Sequence, residues 1–186
     1  VEGDSLGGLS EISLARVRAK LGMLFQNNAL FDYLDVFDNV AFPLRRLFEP
    51  PDAEVRRRVA EGLSRVGLGG FESRMPSGLS GGQKKRVGIA RATITLPPIL
   101  LYDEPTAGLD PVTSQRIYDL LRADQRTRGA TAVMVSSDVA GLLTVCDRVG
   151  MMVRGELVFD GTVDEIHASN APVVRQFVRG ETEGPL

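Results

Sequence analysis

Cysteine, histidine and lysine are nearly absent from these 186 residues, which hold one Cys (Cys146), one His (His167) and three Lys (Lys20, Lys84 and Lys85). A lone cysteine excludes a disulfide framework within the chain and a cysteine-rich metal site, and it fits a reducing compartment. No lysine follows a glycine, so the chain contains no G-x-x-x-x-G-K-[ST] loop of the kind that cradles β and γ phosphates. No apolar run approaches the roughly 18 residues that span a bilayer, and no basic region followed by an apolar one opens the chain. Any membrane role would run through a partner. Positive charge is not in surplus either: a formal net charge of −2 argues against a duplex-DNA binder, and no nucleic acid is expected as a partner. What remains is a globular composition, 43% hydrophobic and 25% charged, of a length that fits one domain of ordinary size.

Three short apolar runs read as strands: LGMLFQ ending at Gln26, PILLYDE ending at Glu104 and TAVMVSS ending at Ser137. Each carries its polar residues at the C-terminal end, where ligands bind in open parallel sheets. Between the last two lies a helix punctuated at both ends, with Asp110 as N-cap, Pro111 at the first helical position, Ile117, Leu120 and Leu121 as the buried stripe, and Gly129 just past the end. A strand, helix, strand unit predicts an α/β layer. From Asn27 to about Leu96 no strand is legible; a helix after Asp52 puts Val55, Val59, Leu63 and Val66 on one face and is expected to end at Gly69-Gly70. After Asp138 come a short helix, a hairpin around Arg154-Gly155 and a capping box at Thr162 and Glu165. The tail GETEGPL is expected to be poorly ordered.

The stretch SGLSGGQKKRVGIARA, Ser77 to Ala92, looks built to hold phosphate. Ser80 can cap the following helix and Gln83, three residues on, can return a hydrogen bond to the cap backbone. Gly81 and Gly82 leave backbone N–H groups open to an anion at a helix N-terminus, where the dipole adds partial positive charge. A bare helix start with a flexible cap is the plainer reading of SGG alone. The triplet Lys84, Lys85 and Arg86 reads as a solvated helix face near phosphate rather than a nucleic-acid patch.

LSGGQ running into KKRVGIARA, followed by ILLYDEPTAGLD from Ile99 to Asp110, resembles the ABC-type ATPases, whose signature motif, Walker B strand and D-loop occur in this order. The resemblance implies a P-loop NTPase-like, mostly parallel α/β sheet with an inserted ABC-type helical subdomain, the P-loop strand and helix being absent. It divides the chain into a partial N-terminal core at 1–26, a helical subdomain with the signature at 27–96, an α/β core at 97–170 and a tail at 171–186. It implies ATP and Mg²⁺ as cofactors. Asp103 and Gln26 would hold the Mg²⁺ shell, and Glu104 would polarise the attacking water. Gln26, Ser80, Gly81, Gly82, Gln83 and Asp110 would meet nucleotide, and Ser137 would stand at the switch position. A carboxylate pair at the end of a buried strand can serve one metal and one base. Plainer readings remain for Gln26 as a surface glutamine and for Asp110 as a helix cap, the latter compatible with a D-loop role.

The run ALFDYLDVFDNVAFPLR, Ala29 to Arg45, and the ending VRQFVRG to GP, Val174 to Pro185, resemble the ATPase subunit of the MCE-associated, Mla-type phospholipid transporters. That implies a second ATPase subunit in a head-to-tail dimer, a transmembrane permease docking near Phe31 to Arg45, an MCE substrate-binding protein in the complex, and a peripheral place on the cytoplasmic side of the bacterial inner membrane. Phe31, Leu34, Phe37 and Phe42 also read as part of an amphipathic core segment.

Two departures from the family pattern stand out. The phosphate loop is missing, and the start VEGD resembles the end of the strand after the P-loop helix, so a missing N-terminal segment is the expectation. At MVSSDV the family's γ-phosphate histidine is replaced by Ser137, whose hydroxyl donates one hydrogen bond but carries no charge. His167 lies far along the chain and reads as a surface residue. Two other readings stand beside a truncated transport ATPase. One is a non-catalytic partner lending LSGGQ to a complete ATPase; the other, a chromosome-maintenance ATPase, would need coiled-coil heptads or a basic surface, and neither is present.

Overall fold

Three parallel strands carry the site end of this computed structural model, which describes residue 1, residue 3 and residues 5–186. They are β1 (Leu21–Leu24), β2 (Ile99–Asp103) and β3 (Thr131–Val135), in the order β1-β2-β3, with Leu21 opposite Ile99 and Ile99 opposite Thr131. Each strand stops short of its expected end at Gln26, Glu104 or Ser137. At β2 the cause is local, since Glu104 has φ 45°, a left-handed conformation that no strand continues through. After β1 the Asn28 N–H turns back to Phe25 O, and Asn28 and Ala29 follow at φ 62° and 48°.

The chain folds as two compact units, Val1–Ser136 and Ser137–Leu186. In the first, α1 (Glu11–Arg18) precedes β1, and the connection from β1 to β2 is helical: α2 (Val36–Phe48), α3 (Asp52–Arg65) and α4 (Gly81–Thr93). Their apolar stripes meet in one core with β1 and β2, through residues such as Leu24, Val40, Leu63, Val87 and Leu100, all fully or almost fully buried. The helix α3 ends at Arg65, not at Gly69-Gly70, because the left-handed residue that stops it is Gly67, at φ 67°. Two glycines let α4 lie close on β1. A Cβ on Gly22 would sit 2.1 Å from Ala92 O, and one on Gly88 would sit 2.7 Å from Leu24 Cδ1. The helix α5 (Pro111–Arg128) then connects β2 to β3, capped by Asp110 and closed by left-handed Gly129 as its sequence predicts.

The second unit is built on the antiparallel pair β4 (Arg148–Val153) and β5 (Glu156–Thr162), which turns at Arg154 and Gly155, both at positive φ. Around it lie α6 (Val139–Leu143), α7 (Val163–Ala168), with the Thr162 and Glu165 capping box, and α8 (Pro172–Arg179). Met151, Ile166 and Val174 form its small core. His167 is exposed on α7. The tail, expected to be poorly ordered, is tied back: the buried Gln176 side chain donates to Glu181 O and accepts from the Leu186 N–H at 2.8 Å. Of the start VEGD, Glu2 and Asp4 lie outside the described residues.

Candidate functional site

At the N-terminus of α4 the sequence builds its own cap. The Gln83 N–H donates to Ser80 Oγ at 3.3 Å, and Gln83 Oε1 accepts the Ser80 N–H at 2.9 Å. Gly81 and Gly82 are the first two helical residues, so their N–H groups have no acceptor inside the helix. Beside them opens a cavity of 390 Å³, lined by Ser80, Gly81, Gly82, Arg86, Asp110 and Arg116 among others. The glycine-rich cap and the turn after β2 thus share one concave surface with two guanidinium groups in its wall. Asp110 is held there by α5: its carboxylate accepts from Thr113 Oγ1 at 2.6 Å and from the Thr113 N–H at 2.9 Å. Those bonds, the hydroxyl's first, hold its pKa below the usual aspartate range.

Asp103 and Glu104 sit half-buried at the C-terminal end of β2, and Gln26 is exposed beyond the end of neighbouring β1. What joins them is Lys85. Expected on a solvated face, this residue is only 2% exposed, and its ammonium donates to the main-chain O of Gln26 and, at 2.9 Å, to that of Glu104. Burial pulls the ammonium's pKa down, while the charges of Asp103 and Glu104 act the other way. Arg86 is also engaged, donating to Val66 O at 3.2 Å. The cation triplet therefore faces the fold as much as solvent. The reason is helical phase: Lys85, Gly88, Ile89 and Ala92 follow the i, i+3, i+4, i+7 spacing, and all four are buried.

Two further buried polar residues, Arg91 and Asn39, carry no motif in the sequence. Arg91, on α4, donates to Ala29 O at 2.6 Å and to Asn28 O. Asn39, fully buried on α2, accepts from the Phe31 N–H and donates to the carbonyls of Phe31, Leu34 and Asp35. Together they fix the loop after Gln26, and with it Phe31 and Tyr33 of an aromatic cluster that Phe42 completes from α2. Phe31 packs on Phe42 with ring centroids 4.8 Å apart and on Tyr33 at 5.8 Å, and Tyr33 and Phe42 are exposed, whereas Phe37 packs into the core.

Ser137 belongs to the second unit, where it is exposed and its carbonyl accepts from the Val139 N–H. Among the described residues no three or more His, Cys, Asp and Glu side chains gather to hold a metal. The donor set at the end of β2, two carboxylates with a neutral amide nearby, suits Mg²⁺, which takes one or two carboxylates and completes its shell with water and substrate phosphate.

Residues 2–107 match the sequence model of the family described as ABC transporter. The chain belongs to this family. Across all of its length the ABC chain is 44% identical to a methionine import ATP-binding protein of Caulobacter vibrioides, of which it spans 56%. It is also 40% identical to a probable ribonucleotide transport ATP-binding protein of Mycobacterium leprae, of which it spans 54%. The chain thus spans about half the length of these curated relatives. Among solved structures it superposes on an ATP-binding cassette determined as a dimer in a post-hydrolysis state with ADP and Pi, with a TM-score of 0.79 at 32% identity, over 88% of this chain and 72% of the other. The α/β layer read from sequence is the cassette fold.

Proposed function

We propose that this chain is the ATP-binding component of an ABC transporter and that its residues form the two halves of composite ATP sites in a head-to-tail dimer. The observation that carries the reading is the Ser80-capped N-terminus of α4, which opens its glycine N–H groups onto a concave surface shared with Asp110. A helix N-terminus stabilises phosphate, and without a Gly-Lys loop among these residues the phosphate it meets is held by a loop outside them. Ser80 and the N–H groups of Gly81 and Gly82 donate to the γ-phosphate on the facing subunit, with Gln83 fixing the cap and Asp110 lining the same surface. At the other half, Asp103 and Gln26 would hold Mg²⁺, which would supply neutralisation of charge on the phosphates. Glu104 orients the attacking water and takes its proton. By the family resemblance alone Ser137 stands at the switch position, where its neutral hydroxyl would stabilise a transition state less than a cation would.

The exposed rings of Tyr33, on the Asn39-anchored loop, and Phe42, on α2, form the face for a transmembrane permease. No helix of the described residues is long and apolar enough to cross a membrane, and we place the protein peripherally, on the cytoplasmic face of a bacterial inner membrane. For the cargo we propose phospholipid, with an MCE-type substrate-binding protein in the complex. The support is the resemblance of Ala29 to Arg45 and Val174 to Pro185; the relatives above are named for methionine and ribonucleotide instead, so transport of lipid by the assembled complex is the discriminating assay. The division into a partial core, helical subdomain, core and tail belongs to the same proposal. The missing Gly-Lys loop also favours a second reading, in which this chain lends its signature to a complete ATPase without turning over itself.

The test is hydrolysis with and without Glu104. Glu104→Gln should retain ATP binding and lose most turnover; equal turnover in variant and wild type contradicts Glu104 as the base.

A further inference from the structure

Lysine is among the residues least often fully buried, and when buried it is normally paired with a carboxylate. Lys85 is 2% exposed, yet both acceptors at its ammonium are neutral main-chain carbonyls, those of Gln26 and Glu104. They lie 59 and 19 residues away in sequence, on the loops that follow β1 and β2. Both loops leave their strands through left-handed backbone at non-glycine residues: Asn28 and Ala29 after β1, Glu104 after β2. Such conformations persist only where the surroundings over-determine them.

At Glu104 the pinning is two-sided. Its N–H donates to Val135 O at 2.9 Å, on the β3 side, and its carbonyl accepts from Lys85 and, at 3.3 Å, from the Ala107 N–H. At the other loop the carbonyls of Asn28 and Ala29 are held by Arg91, from the same helix as Lys85. The helix reaches both loops because Gly22 and Gly88 allow it to lie close on β1, Gly22 against Ala92 O and Gly88 against the Leu24 side chain.

We propose that Lys85 is a positioning residue, whose ammonium ties the main chains of Gln26 and Glu104 to α4 and so sets the direction of the Glu104 side chain from the helix that begins with Ser80, Gly81 and Gly82. The proposal rests on the reading of Glu104 as the base. Its physical consequence is that a displacement of the signature helix is transmitted to the carboxylate and to Gln26 through one side chain. What matters for positioning is two N–H donors at that point; the positive charge is dispensable.

Two variants separate donors from charge and from packing. Lys85→Met keeps a long unbranched side chain, one atom shorter and equal in reach to Gln, and removes every donor. Lys85→Gln keeps two N–H donors and removes the charge. Hydrogen–deuterium exchange at the amides of Asn28, Glu104 and Ala107 is measured in the protein without nucleotide. Lys85→Met should raise exchange there by about tenfold or more, as the loss of hydrogen bonds from a charged donor implies, while the core amides of α5 stay unchanged. Lys85→Gln should exchange like wild type. In steady-state assays Lys85→Met should lower kcat while leaving the affinity for a non-hydrolysable ATP analogue unchanged, and Lys85→Gln should restore kcat. Unchanged exchange at these amides in Lys85→Met, or a Gln variant that behaves like Met, overturns the proposal. If the Met variant does not fold, the Gln variant decides alone: wild-type exchange and kcat support the proposal, and raised exchange refutes it. The exchange readout needs no turnover, so its failure is distinct from a failure of Glu104 as base, which shows as undiminished hydrolysis in Glu104→Gln.

Discussion

Replacing Asn39 by alanine should unstrap the loop that carries the proposed partner face. The buried amide makes four contacts: Oδ1 accepts the Phe31 N–H at 2.8 Å, and Nδ2 points to Phe31 O and Leu34 O, each at 3.0 Å, and to Asp35 O at 2.9 Å. An amide nitrogen has two protons, so the three Nδ2 contacts amount to two full bonds and the residue to about three. At roughly 1 kcal/mol net for each, and more where a buried group is left unpaired, Asn39→Ala should cost about 2–4 kcal/mol. Urea unfolding followed by circular dichroism reads this as a lower midpoint with an unchanged m value. Asn39→Asp sharpens the test, since its carboxylate still accepts from Phe31 but faces three carbonyls without a donor. Its stability should recover as pH falls through its carboxyl pKa, because protonation restores one donor. A loss below about 0.5 kcal/mol for Asn39→Ala would refute the claim that this side chain holds the loop.

Gly22→Ala should destabilise by about 1–3 kcal/mol, because its Cβ would lie 2.1 Å from Ala92 O and 2.7 Å from the Pro97 ring; an unchanged denaturation midpoint would show that α4 and β1 are not closely packed. Asp110 has its pKa lowered by Thr113, so its contribution to stability is present above the unfolded aspartate pKa and is lost as pH falls through the lower folded one. Asp110→Asn, which keeps a cap but cannot titrate, should flatten that part of a melting temperature against pH curve; an identical curve would sink the assignment. Ser137→His should raise turnover in the intact ATPase, and an unchanged rate would mean that another group already fills the role.

Where structure depends on local chemistry, the sequence is enough. The Ser80 and Gln83 box, the Asp110 and Gly129 ends of α5 and the Thr162 and Glu165 box are each set by residues three or four apart, and all of them are present. The end of β2 is not legible because a left-handed residue such as Glu104 looks no different in sequence from an extended one. The sequence predicts a solvated Lys85 because its neighbours, Lys84 and Arg86, are charged. The signal that it faces inward lay in its spacing from Gly88, Ile89 and Ala92 rather than in its own type. Asn39 was hidden in the same way, inside the apolar stripe of Val36, Val40 and Leu44. Its partners are loop carbonyls, and no pattern of side chains announces those. Polar residues that organise a site from beneath are read from periodicity, and those that touch the ligand are read from motif.

The account turns on each chain carrying half of two ATP sites, and a mixing experiment tests that claim directly. One variant of the intact protein, Glu104→Gln, spoils the base half. The other, Gly81→Asp, spoils the signature half by placing a carboxylate at the anion-binding end of α4, where a Cβ is tolerated 3.6 Å from Leu109 Cδ2. Each variant alone should be inactive. Mixed in equal amounts, they form dimers of which half are hetero, each with one intact site, so ATP hydrolysis should return to about a quarter of the wild-type rate by two-fold symmetry. A mixture no more active than its components would contradict the composite site.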